Sequence, residues 1–318
     1  TLFRSVSSAI LEMAQERPSN PQPTRVGLWC VPRSTSTVLT KCLSAIDGME
    51  VYLELYSYAS LLRGYYSTST GHQLPCDIVG NEAVYAEAND IWEKNVGYRM
   101  LPRWMSYQTI KEDLENASSQ YVLLKEMASN PIDPHCLPEG YKYTFLIRDP
   151  SRVFTSARKI AGSKYAEVGM IPSEADFDLI RDDPIDNQPM KWFENQHRLW
   201  KYVKENIDPE PIVLDASDIV SRPGPTIKAF CNVVGFPYSD ELLQLKPTSE
   251  IPNNFVTAGK NVFKEMFMYY ERAFTSTRFV PDELGSIPRD QLSDDVIRCV
   301  DYSMPFYQEM LESKLCVS

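Results

Sequence analysis

A chain of 318 residues, 43% of them hydrophobic and 24% charged, is long enough for one large α/β unit and buries a sizeable core, which excludes a disordered protein. Its 43 acidic against 32 basic residues give a formal charge of −11. That balance excludes a protein that coats nucleic acid or anionic membrane non-specifically, because such surfaces need clustered Lys and Arg. Any anion must be held by a local constellation of side chains.

Residues 1–16 alternate polar and apolar positions and read as an amphipathic helix, not a secretory signal; with the following residues to 24 they form an N-terminal helix and linker. A chain that opens at Thr leaves room for an upstream segment. No apolar run approaches the ~20 residues that span a bilayer, so no membrane span is expected. The seven cysteines are widely spaced, odd in number and without a CxxC pair, which suits reduced thiols and a cytoplasmic location. His72, His135 and His197 lie far apart without partners at metal-ligand spacing, which argues against a zinc site; no metal is expected.

In chain order, Arg25–Val31 is a buried-strand pattern, followed by the loop Pro32–Thr37 and a helix at Val38–Ile46. Further strands are predicted at Met49–Leu55, Tyr121–Met127, Tyr143–Asp149 and Pro211–Ser217. Helices are predicted at Ile78–Asn95, Ser106–Ala117, Ser151–Ala161, Asn187–Asn206, Pro225–Val234 and Asp290–Leu311. Short apolar runs separated by helical patterns imply a parallel sheet of about five strands with helices on both faces, in a single α/β domain. Gly162–Asp186 mixes Gly, Pro and acids and reads as a surface excursion or lid. Residues 238–318 read as a C-terminal helical extension, with 245–289 unassigned.

The first loop is Pro32-Arg33-Ser34-Thr35-Ser36-Thr37, between a strand and a helix. A helix N-terminus offers unpaired N–H groups and the positive end of its dipole, the Ser and Thr hydroxyls add donors, and Arg33 adds a charged fork. The pattern suits a phosphate, and it also suits an ordinary Ser/Thr N-cap beside a surface Arg. It is not the GxxxxGK[ST] loop of nucleotide triphosphatases. A second segment, YTFLIRDPSRVFTSARKI, ends a strand at Arg148, where ligands collect in open α/β sheets. Asp149 and Pro150 make a helix start, and Ser156 lies almost two turns into that helix. Arg148 and Ser156 can converge on one anion, or serve as an ion-pair partner and an incidental helical residue.

Taken in order, these segments resemble the PAPS-dependent sulfotransferases, where PAPS is 3′-phosphoadenosine 5′-phosphosulfate. Their P-[KR]-S-G-[ST]-T loop holds the 5′-phosphosulfate, and an Arg with a Ser eight positions on holds the 3′-phosphate. Asp218, Ile219, Pro223, Phe230, Gly235 and Pro237 in VLDASDIVSRPGPTIKAFCNVVGFP fit a third family segment. The resemblance runs from about Val26 to Pro237 and implies a P-loop-type fold. It also implies PAPS as sulfuryl donor and adenosine 3′,5′-bisphosphate as product. Arg33, Ser34, Thr35, Ser36, Thr37, Arg148 and Ser156 are the residues it places on the nucleotide. The chain departs from the pattern in three ways. Thr35 stands where the family has glycine. Lys125-Glu126-Met127 lacks the catalytic His that the cytosolic branch places two residues after its Lys. The dimerisation motif and the C-terminal R-K-G loop are not evident, with Gly259-Lys260 a faint echo of the latter.

The chemistry expected is transfer of a sulfuryl group to a hydroxyl or amine. Arg33 first, then Lys125, are the candidates for stabilising charge on the leaving phosphate. Lys125 equally suits a strand-end lysine that snorkels to solvent. An alcohol acceptor must lose its proton as the S–O bond forms, and with no His in place Glu54, at the end of the second strand, is the candidate base. A solvated strand-end acid is the alternative reading of Glu54. Glu126 alternates to the other face of its strand and ranks lower; His135 and His197 rank lower still. Tyr56, Tyr58, Tyr65 and Tyr66, with the Trp and Tyr residues near 98–107, are candidates to line a pocket for a small-molecule acceptor, although aromatic clusters are more often core. A P-loop-type kinase and a non-catalytic nucleotide-binding module are the competing readings. The acceptor and the oligomeric state, with a homodimer as one option, are not set by these residues.

Overall fold

The computed structural model describes residues 22–130, 133–182, 188–259, 269–280 and 285–317, so the amphipathic pattern at residues 1–16 lies outside the described residues. Six strands form one sheet: β1 (Thr24–Cys30), β2 (Met49–Leu53), β3 (Tyr121–Met127), β4 (Lys142–Ile147), β5 (Ile212–Asp215) and the two-residue β6 (Phe255–Val256). Their order is β5-β4-β1-β3-β2-β6, and all pairs are parallel. The expected five-strand parallel sheet is therefore present with one more edge strand, contributed by the stretch that the sequence left unassigned.

The helices are α1 (Ser36–Leu43), α2 (Leu55–Thr70), α3 (Glu82–Val96), α4 (Tyr107–Glu115), α5 (Pro150–Glu167), α6 (Trp192–Asn206), α7 (Ala216–Ser221), α8 (Pro223–Val234) and α9 (Asp294–Glu312). They cover both faces of the sheet. Val26, Leu28 and Cys30 alternate to the side of α1 and α8, where Leu39, Leu43, Ile227 and Phe230 are buried. Trp29 and Val31 face the other side, against Tyr56, Phe193 and Tyr307. Apolar residues on both faces explain why the strands read as continuous hydrophobic runs.

Several boundaries differ from expectation, three of them for a clear local reason. The strand predicted at Met49–Leu55 stops at Leu53, because Glu54 turns left-handed (φ 56°) and opens α2. Helix α2 was not predicted; its buried Leu55, Tyr56, Ala59, Leu62 and Tyr66 recur at helical spacing inside a Tyr-rich run that also suits a strand. The strand predicted to Ser217 ends at Asp215, whose carboxylate accepts from the Ser217 N–H at 3.0 Å and starts α7. The excursion predicted from Gly162 begins later, since α5 runs on to Glu167. Gly162 suits this close approach: a Cβ would lie 3.2 Å from the Glu174 carbonyl and 3.1 Å from the Phe177 Cβ, tighter than ordinary contact, where the chain folds back and buries Phe177 and Leu179. Residues 183–187 of that excursion lie outside the described residues.

The strand order sets the site. Neighbours β4, β1, β3 and β2 bring Arg148, the Pro32–Thr37 loop, Lys125 and Glu54 side by side along the carboxyl edge, the edge where parallel α/β sheets bind ligands.

Candidate active site

A cavity of about 720 Å³ opens at this edge, within the range of small-molecule sites. The loop Pro32–Thr37 and Val38 after it line it, as do Glu54, Arg148 and Ser156. Two segments 115 residues apart thus share one cavity, and they touch. Arg148 Nη1 donates to the Arg33 carbonyl at 2.7 Å, and Arg33 Nε donates to Ser156 Oγ at 3.1 Å. Helix α5 begins as the sequence anticipates, with Asp149 Oδ1 accepting from the Ser151 N–H at 2.9 Å and Pro150 in the first turn.

The loop is not an ordinary N-cap. Thr35 sits at the cap position of α1 in a left-handed conformation (φ 71°, ψ 6°), makes no side-chain cap bond, and no acid lies in the first turn. Ser34 Oγ instead donates to the Val31 carbonyl at 2.8 Å and ties the loop down. The first N–H groups of α1 therefore face the cavity edge without a capping side chain, as an anion-binding helix start requires. Arg33 is left-handed too (φ 63°). The glycine position of the resemblance thus keeps a glycine-like backbone although it carries a threonine. Left-handed backbone costs a non-glycine residue about 1–2 kcal/mol. Thr35→Gly is accordingly expected to leave stability unchanged or raise it by up to about 1 kcal/mol, since relief of strain outweighs the added freedom of the unfolded chain. Urea unfolding checks this, and a loss above about 1 kcal/mol would contradict the strain.

The lining is cationic in an acidic protein. Arg33, Arg148, Arg152, Lys159, Arg272 and Arg278 all line the cavity; Glu54 is the one carboxylate among the described lining residues. Burial, then the neighbouring Arg148 and Arg272, pull the Arg33 guanidinium down from 12.5 to about 10. Crowded guanidiniums of this kind are relieved by an anion. Among the described residues no group of three or more His, Cys, Asp or Glu side chains gathers as a metal site.

Glu54 is 6% exposed and ion-pairs through Oε1 with Lys125 Nζ. Its Oε2 accepts from the Tyr270 hydroxyl at 2.5 Å. Lys125 is wholly buried and does not line the cavity, so it stands behind Glu54 and does not reach the open space on its own. Burial, the largest influence, pulls the Lys125 ammonium down, but the Glu54 carboxylate, with smaller help from Cys30 and Glu126, holds it above the ordinary lysine value. Met127, at the position where the cytosolic branch keeps its His, lines the cavity with a thioether.

Glu126 does alternate to the opposite face, and there it does structural work. Its carboxylate accepts from the N–H groups of Tyr56 (2.8 Å), Ser57 (3.2 Å) and Met127 (2.8 Å) and from Ser57 Oγ. Tyr56 and Ser57 form the first turn of α2, so Glu126 caps that helix from β3 and leaves Glu54, at the cap position itself, free to turn toward Lys125. Burial lifts the Glu126 carboxyl from 4.5 to about 7, against the pull of these donors. Between those values the folded chain keeps a proton that the unfolded chain has released. Stability is therefore expected to fall as pH rises from about 4.5 to 7, by on the order of 3 kcal/mol, and to level off above. Urea titrations across that window check it: Glu126→Gln should flatten the slope, and an unchanged slope would remove Glu126 as its source.

Several expected residues lie elsewhere. Tyr56, Tyr58 and Tyr66 are buried in the core under α2, Tyr65 packs edge-on against Trp92, and none of the four lines the cavity. Large hydrophobic cores take aromatics for their area, and that is the role here. His197 Nε2 pairs with Glu309 at 2.8 Å between α6 and α9, and His135 is exposed; neither lines the cavity. Of the faint Gly259-Lys260 echo, Lys260 lies outside the described residues.

Sequence reasoning missed one wall. Residues 269–280 bring Tyr269, Tyr270, Arg272, Arg278 and Phe279 to the cavity. Lys41 of α1 anchors this wall by donating to the carbonyls of Phe274 (2.7 Å), Ser276 (2.8 Å) and Ala273 (3.3 Å), and Arg33 Nη1 donates to the Tyr269 carbonyl at 3.1 Å. The available signal was the pair of arginines six apart in ERAFTSTR, in a segment otherwise lacking charge periodicity.

No family model and no curated protein matches the chain. Among solved structures, it is similar to the sulfotransferase domain from the curacin biosynthetic pathway, at 16% identity over 88% of this chain and 96% of that one, with a TM-score of 0.43. It is similar to the sulfotransferase domain from the Synechococcus PCC 7002 olefin synthase, at 16% identity over 90% and 96%, with a TM-score of 0.40. A third is mouse sulfotransferase SULT7A1 complexed with PAP, at 12% identity over 90% and 83%, with a TM-score of 0.45. The chemistry of the site has to be read from this chain's own residues.

Proposed function

We propose that the protein is a sulfotransferase that uses PAPS and modifies a hydroxyl or amine of a small-molecule acceptor. The observation that carries the reading is the cavity shared by the α1 helix start, Ser156, six cationic side chains with Arg33 and Arg148 among them and, among the described residues, one carboxylate. A doubly phosphorylated nucleotide fits that donor set. Ser36, Thr37 and the N–H groups of α1, with Ser34 and Thr35 shaping the loop, would hold the 5′ end, and Arg148 with Ser156 the 3′-phosphate. When bound, the donor supplies the sulfuryl group and leaves with the electron pair of the broken S–O bond.

The chain's residues divide the remaining work. Arg33, which lines the cavity, would stabilise negative charge left on the nucleotide, and its low-dielectric setting would strengthen that interaction. Glu54 accepts the acceptor's proton at Oε2 as the new bond to sulfur forms. Lys125 supplies the counter-charge to the Glu54 carboxylate. Met127 cannot act as a base, so Glu54 takes that part. The GxxxxGK[ST] loop of kinases is absent, which favours sulfuryl over phosphoryl transfer. Seven free cysteines, five of them buried, accord with a reducing cytoplasmic setting. Among the described residues no helix is long and apolar enough to cross a membrane.

Arg148→Ala tests the nucleotide half. It is expected to weaken adenosine 3′,5′-bisphosphate binding by about 1–3 kcal/mol, as befits a lost charge-assisted contact. Calorimetry gives the answer, and an unchanged affinity would remove Arg148 from the site.

A further inference from the structure

The 269–280 wall reaches the proposed base through one side chain. Tyr270 is 4% exposed, lines the cavity, and donates to Glu54 Oε2 at 2.5 Å, while Lys125 occupies Oε1. Tyr58, buried on α2, is hydrogen-bonded to Tyr270 in turn. The carboxylate is therefore gripped from β3 by an ammonium and from the 269–280 wall by a phenol, with a second phenol behind. Its own backbone is left-handed, a conformation that persists where surroundings over-determine it.

We propose that Tyr270 is the positioning residue of the transfer reaction: its hydroxyl fixes the Glu54 carboxylate so that the remaining lone pair of Oε2 faces the acceptor, and the 269–280 wall is thereby part of the catalytic apparatus. The inference rests on the sulfotransferase reading, in which Glu54 is the base. Both ends of the grip are suited to it. Tyr270 is held well above the ordinary tyrosine range by burial first and by the Glu54 charge and Tyr58 after it, so it stays a donor throughout the working range. Tyr58 is raised for the same two leading reasons, burial and Glu54. Among the described residues Lys125 and Glu126 from β3 and Cys30 from β1 also act on Glu54, and none of the three lines the cavity. Tyr270 couples Glu54 to the wall that carries Arg272 and Arg278. That wall is in turn held to the phosphate loop by Arg33 and to α1 by Lys41. Small displacements of a reacting group cost large factors in rate, on the order of 10² for 1 Å, so a residue that only aims the base has a large effect.

The experiment uses the whole chain and two readouts. In the nucleotide-free protein, isotope-edited infrared difference spectroscopy identifies the Glu54 carboxylate band as the one lost in Glu54→Gln, and Tyr270→Phe should shift that band. With labelled PAPS and water as the acceptor, Tyr270→Phe should lower sulfate release by about 10- to 100-fold while bisphosphate affinity stays within about twofold. An unshifted band, release at the wild-type rate, or parallel loss of bisphosphate affinity would each overturn the inference while leaving the sulfotransferase reading intact. Should Tyr270→Phe fail to fold, Tyr58→Phe decides: a smaller fall in release at unchanged affinity supports the grip, and no fall refutes it. A wild-type chain that neither binds bisphosphate nor releases sulfate refutes the sulfotransferase reading, and the role of Tyr270 with it.

Discussion

Glu54→Gln is expected to cut sulfuryl transfer by about 10²–10⁴ while leaving bisphosphate affinity nearly intact. The amide keeps the shape of the carboxylate but only one acceptor oxygen, so one of the two donors, Tyr270 or Lys125, keeps its partner. What is lost is the group that takes the acceptor's proton, and the charge opposite buried Lys125, so a loss of stability accompanies the change. The split between rate and affinity matters because Glu54 lies on the β2 side of the cavity and the nucleotide contacts lie on the β1 and β4 side. Release of labelled sulfate and calorimetric titration of bisphosphate on the same preparation make the comparison. Activity that survives the change would place the base elsewhere, and no other carboxylate among the described residues lines the cavity.

Lys125→Met is expected to be the most damaging single change to stability. Lys125 is wholly buried and its ammonium pairs with Glu54, itself only 6% exposed. Removing one partner of a buried pair strands the other charge, at a cost of about 3–5 kcal/mol. In a chain of this size that lowers the melting temperature by on the order of 10 °C. The companion variant Lys125→Met with Glu54→Leu should recover much of the loss, because a buried pair replaced by apolar groups is often close to neutral. A single variant as stable as the wild type would mean that the pair is solvated. A double variant no better than the single would mean that Lys125 matters through packing alone.

Much of this architecture was legible in the sequence. Apolar runs placed five of the six strands, and Asp149-Pro150 announced the start of α5 because cap chemistry is local. The Pro32–Thr37 loop and the Arg148/Ser156 segment could be picked out because each is one short segment carrying its own donors, and the two line one cavity. What stayed hidden depends on tertiary contacts. Glu126 ranked low as a base on strand alternation, and alternation held; nothing local shows that the opposite face meets the first turn of α2. The Tyr cluster from Tyr56 to Tyr66 read as a pocket as well as it read as core, since aromatic area serves both. Tyr270, Arg272 and Arg278 are 216 or more positions beyond Glu54, and only the fold brings them to the same cavity. Thr35 is the instructive case. The residue type departs from the glycine of the resembled loop, while its backbone at φ 71° does not.

The most direct test of the central claim is a calorimetric titration of the wild-type chain with adenosine 3′,5′-bisphosphate, adenosine 5′-monophosphate and ATP. If the α1 loop and the Arg148/Ser156 pair hold two phosphates of one nucleotide, the bisphosphate binds most tightly. The monophosphate should then be weaker by about 1–3 kcal/mol for its missing 3′ contact. Equal affinity for bisphosphate and monophosphate, or tighter binding of ATP, would contradict it.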